Sequence, residues 1–193
     1  MSDAQSYEIF ETALGFAAIA WGQQGVTSLR LPERSAGAAE RALLRRLPTA
    51  VRATPPASIA ALIAAAQRYF NGAETDFSDI EIDLGPQEAF FARVYDRVRK
   101  LRWGETTTYG AIAKELGAGP EAARDVGQAM ASNPIPLIVP CHRVLAAGGK
   151  IGGFSAPGGS HSKARMLELE GVRVQLPEKP QSEPKPKQAT FAF

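Results

Sequence analysis

One cysteine and the histidine that follows it are the strongest candidates for chemistry in this sequence of 193 residues. Cys141 is the only cysteine, and it stands in the segment NPIPLIVPCHRV at residues 133–144. A thiolate is a strong nucleophile whereas a thiol reacts weakly, so a base must take the proton. Histidine has the right basicity near neutral pH. His142 is therefore the candidate base, directly or through a water, and a buried carboxylate would orient its imidazole.

The residues around Cys141 decide between a reactive thiol and an inert one. A lone cysteine is usually a small buried hydrophobe. Here three prolines stiffen the backbone before Cys141, and the apolar run at residues 135–139 would bury the approach to it. These neighbours favour a positioned, reactive thiol over a residue that only packs.

Composition excludes several other classes of protein. One cysteine forms no internal disulfide, and with only two histidines it builds no thiolate-rich zinc site, so we expect no metal and no cofactor. No stretch reaches the roughly 18 apolar residues of a membrane span. The start, MSDAQSYEIF, has acidic residues where a signal peptide needs basic ones. The sequence therefore predicts an intracellular, cytoplasmic protein.

Charge is distributed unevenly along the chain. Residues 1–89 carry 7 Lys+Arg and 11 Asp+Glu, a net charge of −4. Residues 90–175 carry 12 and 7, a net charge of +5. A basic second half is a weak indication of a polyanionic partner, and an ordinary solvated surface is the alternative.

The first part of the chain is predicted to be a supporting α/β domain. Apolar runs on both sides of Gln23-Gln24-Gly25 predict a β-hairpin. A short helix is expected near residues 38–47, and a second one over residues 59–70, whose apolar side chains share one face. Alternating apolar and acidic residues at 80–84 predict a half-buried strand.

Composition changes at two places divide the chain into three parts. Gly85-Pro86 closes the predicted strand, so the supporting domain is assigned residues 1–85 and the second domain residues 86–175. After Leu176 the sequence contains four prolines and little apolar content. Residues 176–193 are therefore predicted to be a disordered tail.

The second domain is predicted to be mainly helical, with a helix-turn-helix. Helices are expected over residues 107–116, capped by Thr107, and over residues 120–131, with Pro120 in the first turn. On the second helix one stripe is expected to face the core, and the opposite stripe to face outward. The core stripe comprises Ala123, Val126 and Met130, and the outward stripe comprises Arg124, Gln128 and Ala131.

Small residues on this second helix would let it approach another surface closely. They are Ala122, Ala123 and Gly127. Arg124 is the charged group that would project into a partner. The alternative is a surface arginine paired with Glu121 or Asp125.

The order of motifs in the second domain resembles that of the O6-alkylguanine-DNA alkyltransferases, also called methylated-DNA–protein-cysteine methyltransferases. The matching segments, within residues 86–172, are GETTTYGAIAKELG, AARDVGQAM, NPIPLIVPCHRV, GGFSAPGG and KARMLELEG. Residues 8–85 match the family only in general pattern. The resemblance implies an α/β protein: an N-terminal antiparallel sheet with helices, ribonuclease H-like, and a mainly helical, winged-helix-like C-terminal domain.

The resemblance also implies roles for individual residues at the reactive centre. Cys141 would accept the alkyl group, and His142 would take the thiol proton through a water. Glu170 would orient His142, and Asn133 would brace the turn that holds the cysteine. Tyr109 would help to rotate the target nucleotide out of the duplex.

Further residues would contact DNA or line the substrate pocket. Arg124 would enter the base stack in place of the rotated guanine. The small residues near it, and the exposed Gln128, would lie against the minor groove. The resemblance assigns the pocket lining to Met130, Val144, Ile151, Phe154, Ser155 and Lys163. Many relatives carry tyrosine where this chain has Phe154, which keeps the stacking face and loses the hydroxyl.

Together these roles imply direct repair of double-stranded DNA by a monomer. The alkyl group of O6-alkylguanine would move onto Cys141 after the base is flipped out of the duplex. The product is a thioether with no easy leaving group, so the reaction would occur once per molecule. The residues leave open which alkyl groups are accepted and whether O4-alkylthymine is also a substrate.

Three other functions compete with this one. A non-catalytic lesion-recognition relative would lack the acceptor cysteine, which is present here. A helix-turn-helix regulator would explain the helix pair and the basic half, but gives no reason for PCHRV. A cysteine hydrolase needs an oxyanion hole and usually a histidine distant in sequence from the cysteine. The only histidine besides His142 is His161, and it matches no role in the family.

Overall fold

The computed structural model describes residues 5–174, which form an α/β structure. Its elements in chain order are β1 (Ser6–Thr12), β2 (Gly15–Gly22), β3 (Gly25–Glu33), α1 (Ala36–Leu44), β4 (Val51–Arg52), α2 (Ala57–Phe70), α3 (Ala89–Arg99), β5 (Thr107–Thr108), α4 (Tyr109–Glu115), α5 (Ala123–Ser132), β6 (Val144–Leu145) and α6 (Ser160–Leu169). The tail predicted at residues 176–193 lies outside the described residues. Among the helices of residues 5–174, none is long and apolar enough to cross a membrane.

The N-terminal sheet has four strands in the order β3-β2-β1-β4. Strands β1, β2 and β3 are antiparallel neighbours, and the short β4 runs parallel to β1. The predicted hairpin is present, with Gly22 opposite Gly25. Gly25 has φ +137°, and a Cβ there would lie 2.5 Å from the Glu81 carbonyl oxygen. Only glycine fits here, because the backbone at Glu81 and Ile82 passes directly against the hairpin at this point.

The strand predicted at residues 80–84 is not present. Ile82 makes one isolated bridge to Val26. The Val26 amide donates to the Glu81 carbonyl at 3.0 Å, and the Asp83 amide donates to the Val26 carbonyl at 2.9 Å. This segment cannot pair further along the edge of β3, because the next backbone amide on that edge already has another partner. The Leu29 amide donates instead to the Pro134 carbonyl, 2.9 Å away. This bond ties the N-terminal sheet directly to the segment that leads to Cys141.

Both helices of the predicted helix-turn-helix are present, and their first turns differ from the prediction. The first helix, α4, is capped by the Thr108 side chain rather than by Thr107. The reason is that Thr107–Thr108 is extended and pairs in parallel with Val144–Leu145. The second helix begins with a 3-10 turn at Pro120–Ala122 before α5.

One hydrophobic core joins the two halves of the described chain. It contains side chains of the sheet and α2 together with side chains of α3, α4, α5 and the segment before Cys141. Tyr69 and Phe70 at the end of α2, and Val94 and Tyr95 in α3, are buried in it. The N-terminal sheet and α2 therefore form a rigid wall against which the Cys141 segment packs.

Candidate functional site

A short, rigid segment holds Cys141. The cysteine begins a 3-10 turn, Cys141–Arg143, and only 5% of its surface is exposed. The preceding apolar run folds into a tight turn, in which the Val139 amide donates to the Ile135 carbonyl at 3.0 Å. Leu137, at the centre of this turn, has φ +82°. Such a conformation is rare for residues other than glycine and costs about 1–3 kcal/mol, so the surrounding packing must enforce it.

Asn133 braces this turn from both sides. Its side-chain amide donates to the Val139 carbonyl at 2.8 Å, and its Oδ1 accepts from the Ile135 amide at 3.0 Å. Burial raises the pKa of the Cys141 thiol, while the Asn133 side chain and the charge of Lys163 act to lower it. The turn therefore holds the thiol in a buried position, where neighbouring groups must stabilise the thiolate for it to form.

His142 is fully buried and forms a close pair with Glu170. Its Nε2 lies 2.7 Å from Glu170 Oε1, and neither side chain is exposed. A carboxylate accepts hydrogen bonds, so Nε2 carries the proton and Nδ1 of the neutral ring is free to accept one. Nδ1 is buried and has no hydrogen-bond partner among the described residues. Burial lowers the pKa of His142, which keeps the imidazole neutral and able to act as a base.

Glu170 is the centre of a larger buried network. Arg143 donates to both of its carboxylate oxygens, at 2.8 Å and 2.9 Å, and also to the Leu101 carbonyl at 2.6 Å. The Gly104 amide donates to Oε2 at 3.1 Å. Burial acts to raise the pKa of Glu170, but the hydrogen bonds and charges of His142 and Arg143 outweigh it and lower the pKa to about 2. Glu170 is therefore a fixed anion at neutral pH.

A tyrosine of the N-terminal half completes this network. Tyr69 is fully buried at the end of α2, and its hydroxyl donates to Glu170 Oε1 at 2.8 Å. The same hydroxyl lies 3.1 Å from His142 Nε2. Burial is the main reason that its pKa is raised, so it remains a neutral donor.

Sequence reasoning missed both Tyr69 and Arg143 as functional residues. Tyr69 lies on the apolar side of α2, where a buried aromatic residue is expected to serve only the core. An arginine that is 5% exposed is a stronger signal, because a buried charge must be paired, but burial is not visible in the sequence alone.

A cleft of about 490 Å³ opens beside Cys141. Its lining residues are Tyr109, Gly127, Met130, Ala131, Cys141, Gly153, Phe154, Ser155 and Lys163. Phe154 and Ser155 lie in a loop that covers the cleft, and the Ser155 hydroxyl ties this loop to α5 by donating to the Ala131 carbonyl at 2.9 Å. Its volume and its aromatic and aliphatic walls are typical of a small-molecule binding pocket.

Lys163 brings a positive charge into this cleft. It is fully buried, and its Nζ donates to the Val144 carbonyl at 2.5 Å and to the Tyr109 hydroxyl at 3.4 Å. Nζ also lies 5.6 Å and 5.7 Å from the ring centroids of Tyr109 and Phe154. Burial lowers the pKa of Lys163 to about 8, and the nearby Cys141 opposes that shift. At neutral pH the ammonium group is therefore mostly charged.

Three residues expected at the pocket or the DNA-facing surface lie elsewhere. Val144 and Ile151 are buried and do not line the cleft, because Val144 pairs in β6 and offers only its carbonyl to Lys163. Ala122 is 7% exposed and packs in the core, since the 3-10 turn rotates it inward. Ala123 and Gly127 are partly exposed.

The outward stripe of the second helix is where the spacing predicts it. Arg124, Gln128 and Ala131 are exposed on α5, while Val126 and Met130 are buried. Among residues 5–174, no carboxylate lies within ion-pair distance of Arg124. Arg124 is therefore available to a partner rather than used in a surface pair.

The described residues offer no candidate for a metal centre. No group of three or more His, Cys, Asp or Glu side chains within residues 5–174 could hold a metal ion. His161 is exposed near the start of α6. The chemistry available at the site is that of the thiol, the imidazole and the buried charges.

The second half of the chain matches a known family. Residues 89–172 match the model described as 6-O-methylguanine DNA methyltransferase, DNA binding domain. A methylated-DNA–protein-cysteine methyltransferase of Metallosphaera sedula is 48% identical over 109 residues, which are 56% of this chain and 65% of that protein.

A longer match covers most of both proteins. The methylated-DNA–protein-cysteine methyltransferase of Mycobacterium tuberculosis is 36% identical over 169 residues, or 87% of this chain and 93% of that protein. A crystal structure of M. tuberculosis OGT in complex with DNA superposes with a TM-score of 0.65 at 33% identity, covering 88% of this chain and 94% of that one. The similarity therefore includes the N-terminal half as well as the half that carries Cys141.

Proposed function

Because the chain belongs to the methylated-DNA–protein-cysteine methyltransferases, we propose that it repairs alkylated DNA by transferring the O6-alkyl group of guanine to Cys141. The thiolate Sγ forms a bond to the alkyl carbon, and the bond between that carbon and O6 breaks. The departing guanine anion takes up one proton, which balances the proton that the thiol has lost. The S-alkyl cysteine that forms is a thioether without an easy leaving group, so the thiol is not regenerated and each protein molecule reacts once. One observation carries the proposal: the buried Cys141 follows a braced turn and directly precedes His142. The Nε2 of that histidine pairs with the fixed carboxylate of Glu170, and its Nδ1 is free to accept a proton.

The network around Glu170 provides the base for the thiol. His142 Nδ1 takes the thiol proton through one water, and the imidazolium that results is stabilised by Glu170 at 2.7 Å. Lys163 and Asn133 favour the thiolate against the cost of burial. The Lys163 ammonium and the Tyr109 hydroxyl, 3.4 Å apart, also face the cleft in which negative charge develops on the leaving guanine.

Delivery of the base is assigned to α5 and its surroundings. A guanine inside a duplex cannot present its O6 substituent to a buried sulfur, so it must be flipped out of the stack. We assign Arg124 to the vacated space and place Gln128 and the small residues Ala123 and Gly127 against the minor groove. Tyr109 rotates the nucleotide toward the cleft. Phe154 covers the base there without a hydroxyl, which leaves selection of the alkyl group to shape.

The finer architecture follows the same proposal. We assign residues 1–85 to a ribonuclease H-like supporting domain and residues 86–175 to a winged-helix-like domain. The four-stranded sheet and the β5–β6 pair support these assignments. A monomer is sufficient, because one chain supplies the thiol, the base and the DNA-facing helix. Since the substrate is cellular DNA, the protein acts inside the cell.

The proposal is tested by mass spectrometry of the intact chain. Incubation with a duplex containing one O6-methylguanine is expected to add a single methyl group, with one methyl transferred per protein molecule. Peptide mapping should place it on Cys141, and the Cys141→Ala protein serves as the blank. Repeated turnover, or methylation of another residue, would contradict the mechanism.

Tyr69 is assigned as a positioning residue that holds Glu170 and His142 in register. For Tyr69→Phe we expect a transfer rate about 10- to 150-fold lower, because a hydrogen bond to a charged group contributes about 1.5–3 kcal/mol. With one donor fewer, Glu170 attracts the imidazolium more strongly, so the pKa of His142 rises. The acid limb of the pH–rate profile should therefore move to higher pH.

Tyr95→Phe is the matched control for this substitution. It also removes a buried hydroxyl, which donates to the Ala129 carbonyl at 3.0 Å outside the network. It should leave the pH–rate profile unchanged. If both variants lose stability and both keep the wild-type profile, Tyr69 has only a packing role.

A further inference from the structure

A second cleft adjoins Cys141 on the side of the N-terminal sheet. Its volume is about 540 Å³, and its walls include Arg30 on β3 and Arg45 and Arg46 just after α1. It shares with the first cleft the residues Met130, Ala131, Cys141, Phe154 and Ser155. The two clefts therefore meet at the acceptor cysteine and at the loop that covers it. We call the second one the arginine cleft.

The arginine cleft carries positive charge that the described residues do not neutralise. Glu33 is the one carboxylate among its lining residues, and no carboxylate of residues 5–174 lies within 4.0 Å of the three arginine side chains. The Arg30 Nε is buried and has no hydrogen-bond partner in this part of the chain. Burial, followed by repulsion from Arg46 and Arg45, lowers the pKa of Arg30 to about 10. An anion in the cleft would relieve both the repulsion and the unpaired donor.

The position of the cleft indicates which anion. Arg46 donates from Nη2 to the carbonyl of Ser132, the last residue of α5, at 3.1 Å. Ala131, the end of the exposed stripe on that helix, lines the cleft. The arginine cleft therefore continues the face that α5 presents to DNA and is fixed relative to it.

Planar guanidinium groups recognise phosphate through paired hydrogen bonds. We propose that the arginine cleft binds a backbone phosphate of the DNA next to the lesion, which extends the DNA contact from α5 to the N-terminal half. This inference rests on the proposed function. It gives a binding role to a half of the chain that is otherwise acidic, with a net charge of −4 over residues 1–89.

The test compares DNA binding and free-base chemistry in the double variant Arg45→Gln/Arg46→Gln. Each lost phosphate contact lowers the slope of log K against log salt concentration by about 0.9, so we expect the slope for an O6-methylguanine duplex to fall by about 1–2. Affinity at low salt should fall roughly tenfold or more. The rate with the free base O6-benzylguanine, which has no phosphate, should stay within about twofold of wild type. Arg30→Gln is the second variant and should also reduce the slope.

Arg41→Gln is the matched control, because Arg41 is exposed on α1 and does not line the cleft. The proposal is overturned if Arg41→Gln reduces the slope as much as the double variant, or if the double variant keeps the wild-type slope. Equal losses with duplex and free base would also overturn it, since the arginines would then act on the reactive centre. Failure of the proposed function gives a different result, because wild-type protein would then react with neither substrate.

Discussion

Glu170→Gln is expected to lower the alkyl-transfer rate by about 10²- to 10⁴-fold and to destabilise the fold by about 3–5 kcal/mol. The substitution keeps the shape of the side chain and removes its charge. Arg143, which donates to both carboxylate oxygens, is left as a buried charge without a counterion. His142 loses the group that fixes its proton on Nε2. If the new amide donates to Nε2, the free nitrogen is no longer Nδ1 and the base is lost.

The acid stability of the same variant provides a second measurement. In the wild-type protein the folded pKa of Glu170 is about 2, below its ordinary value of 4.5. A depressed carboxylate pKa stabilises the fold above the unfolded value and loses that contribution as pH falls toward the folded one. The difference corresponds to about 3 kcal/mol, lost between roughly pH 4.5 and pH 2. Glu170→Gln should lack this part of the pH dependence.

Glu168→Gln is the control, because Glu168 is exposed near the end of α6, two residues before Glu170. It should keep both the transfer rate and the acid transition. Urea unfolding at several pH values and single-turnover kinetics measure the two effects separately. A Glu170→Gln protein with a wild-type rate would show that the carboxylate does not support the base.

The reactive segment could be predicted from the sequence because its evidence is local. Asn133, Cys141 and His142 lie within ten consecutive residues, and the prolines between them restrict the backbone whatever the rest of the chain does. The resemblance placed Glu170 in the same group, and the structure brings it to 2.7 Å from His142. Helices α2 and α5 could be predicted equally well, since the periodic spacing of their apolar residues does not depend on distant parts of the chain.

The features that were missed depend on distant contacts. Strand β1, which was not predicted, alternates buried and polar residues only weakly and is defined by pairing on both sides with β2 and β4. The strand predicted at residues 80–84 failed because Pro134, about 50 residues later, uses the next donor on the β3 edge. Tyr69 meets Glu170 across 101 positions of sequence. Neither competition for a sheet edge nor such a contact leaves a periodic signal in the chain.

Arg124→Ala is expected to reduce transfer from O6-methylguanine in duplex DNA by about 10- to 100-fold while leaving the reaction with free O6-benzylguanine nearly unchanged. The side chain is exposed on α5, and no carboxylate within residues 5–174 pairs with it, so its removal should not disturb the fold. Flipping a base costs a few kcal/mol of stacking and pairing, and an inserted side chain offsets part of that cost. A free base needs no flipping.

Arg124→Lys separates insertion from charge. Lysine keeps the positive charge for phosphate contacts but lacks the planar group that stacks on bases. If Arg124 fills the space left by guanine, the lysine variant should keep the wild-type salt dependence of binding and still lose most of the duplex rate. If Arg124 only contacts a phosphate, the lysine variant should react at nearly the wild-type rate. The ratio of duplex to free-base rates in the two variants therefore distinguishes a stacking residue from an electrostatic one.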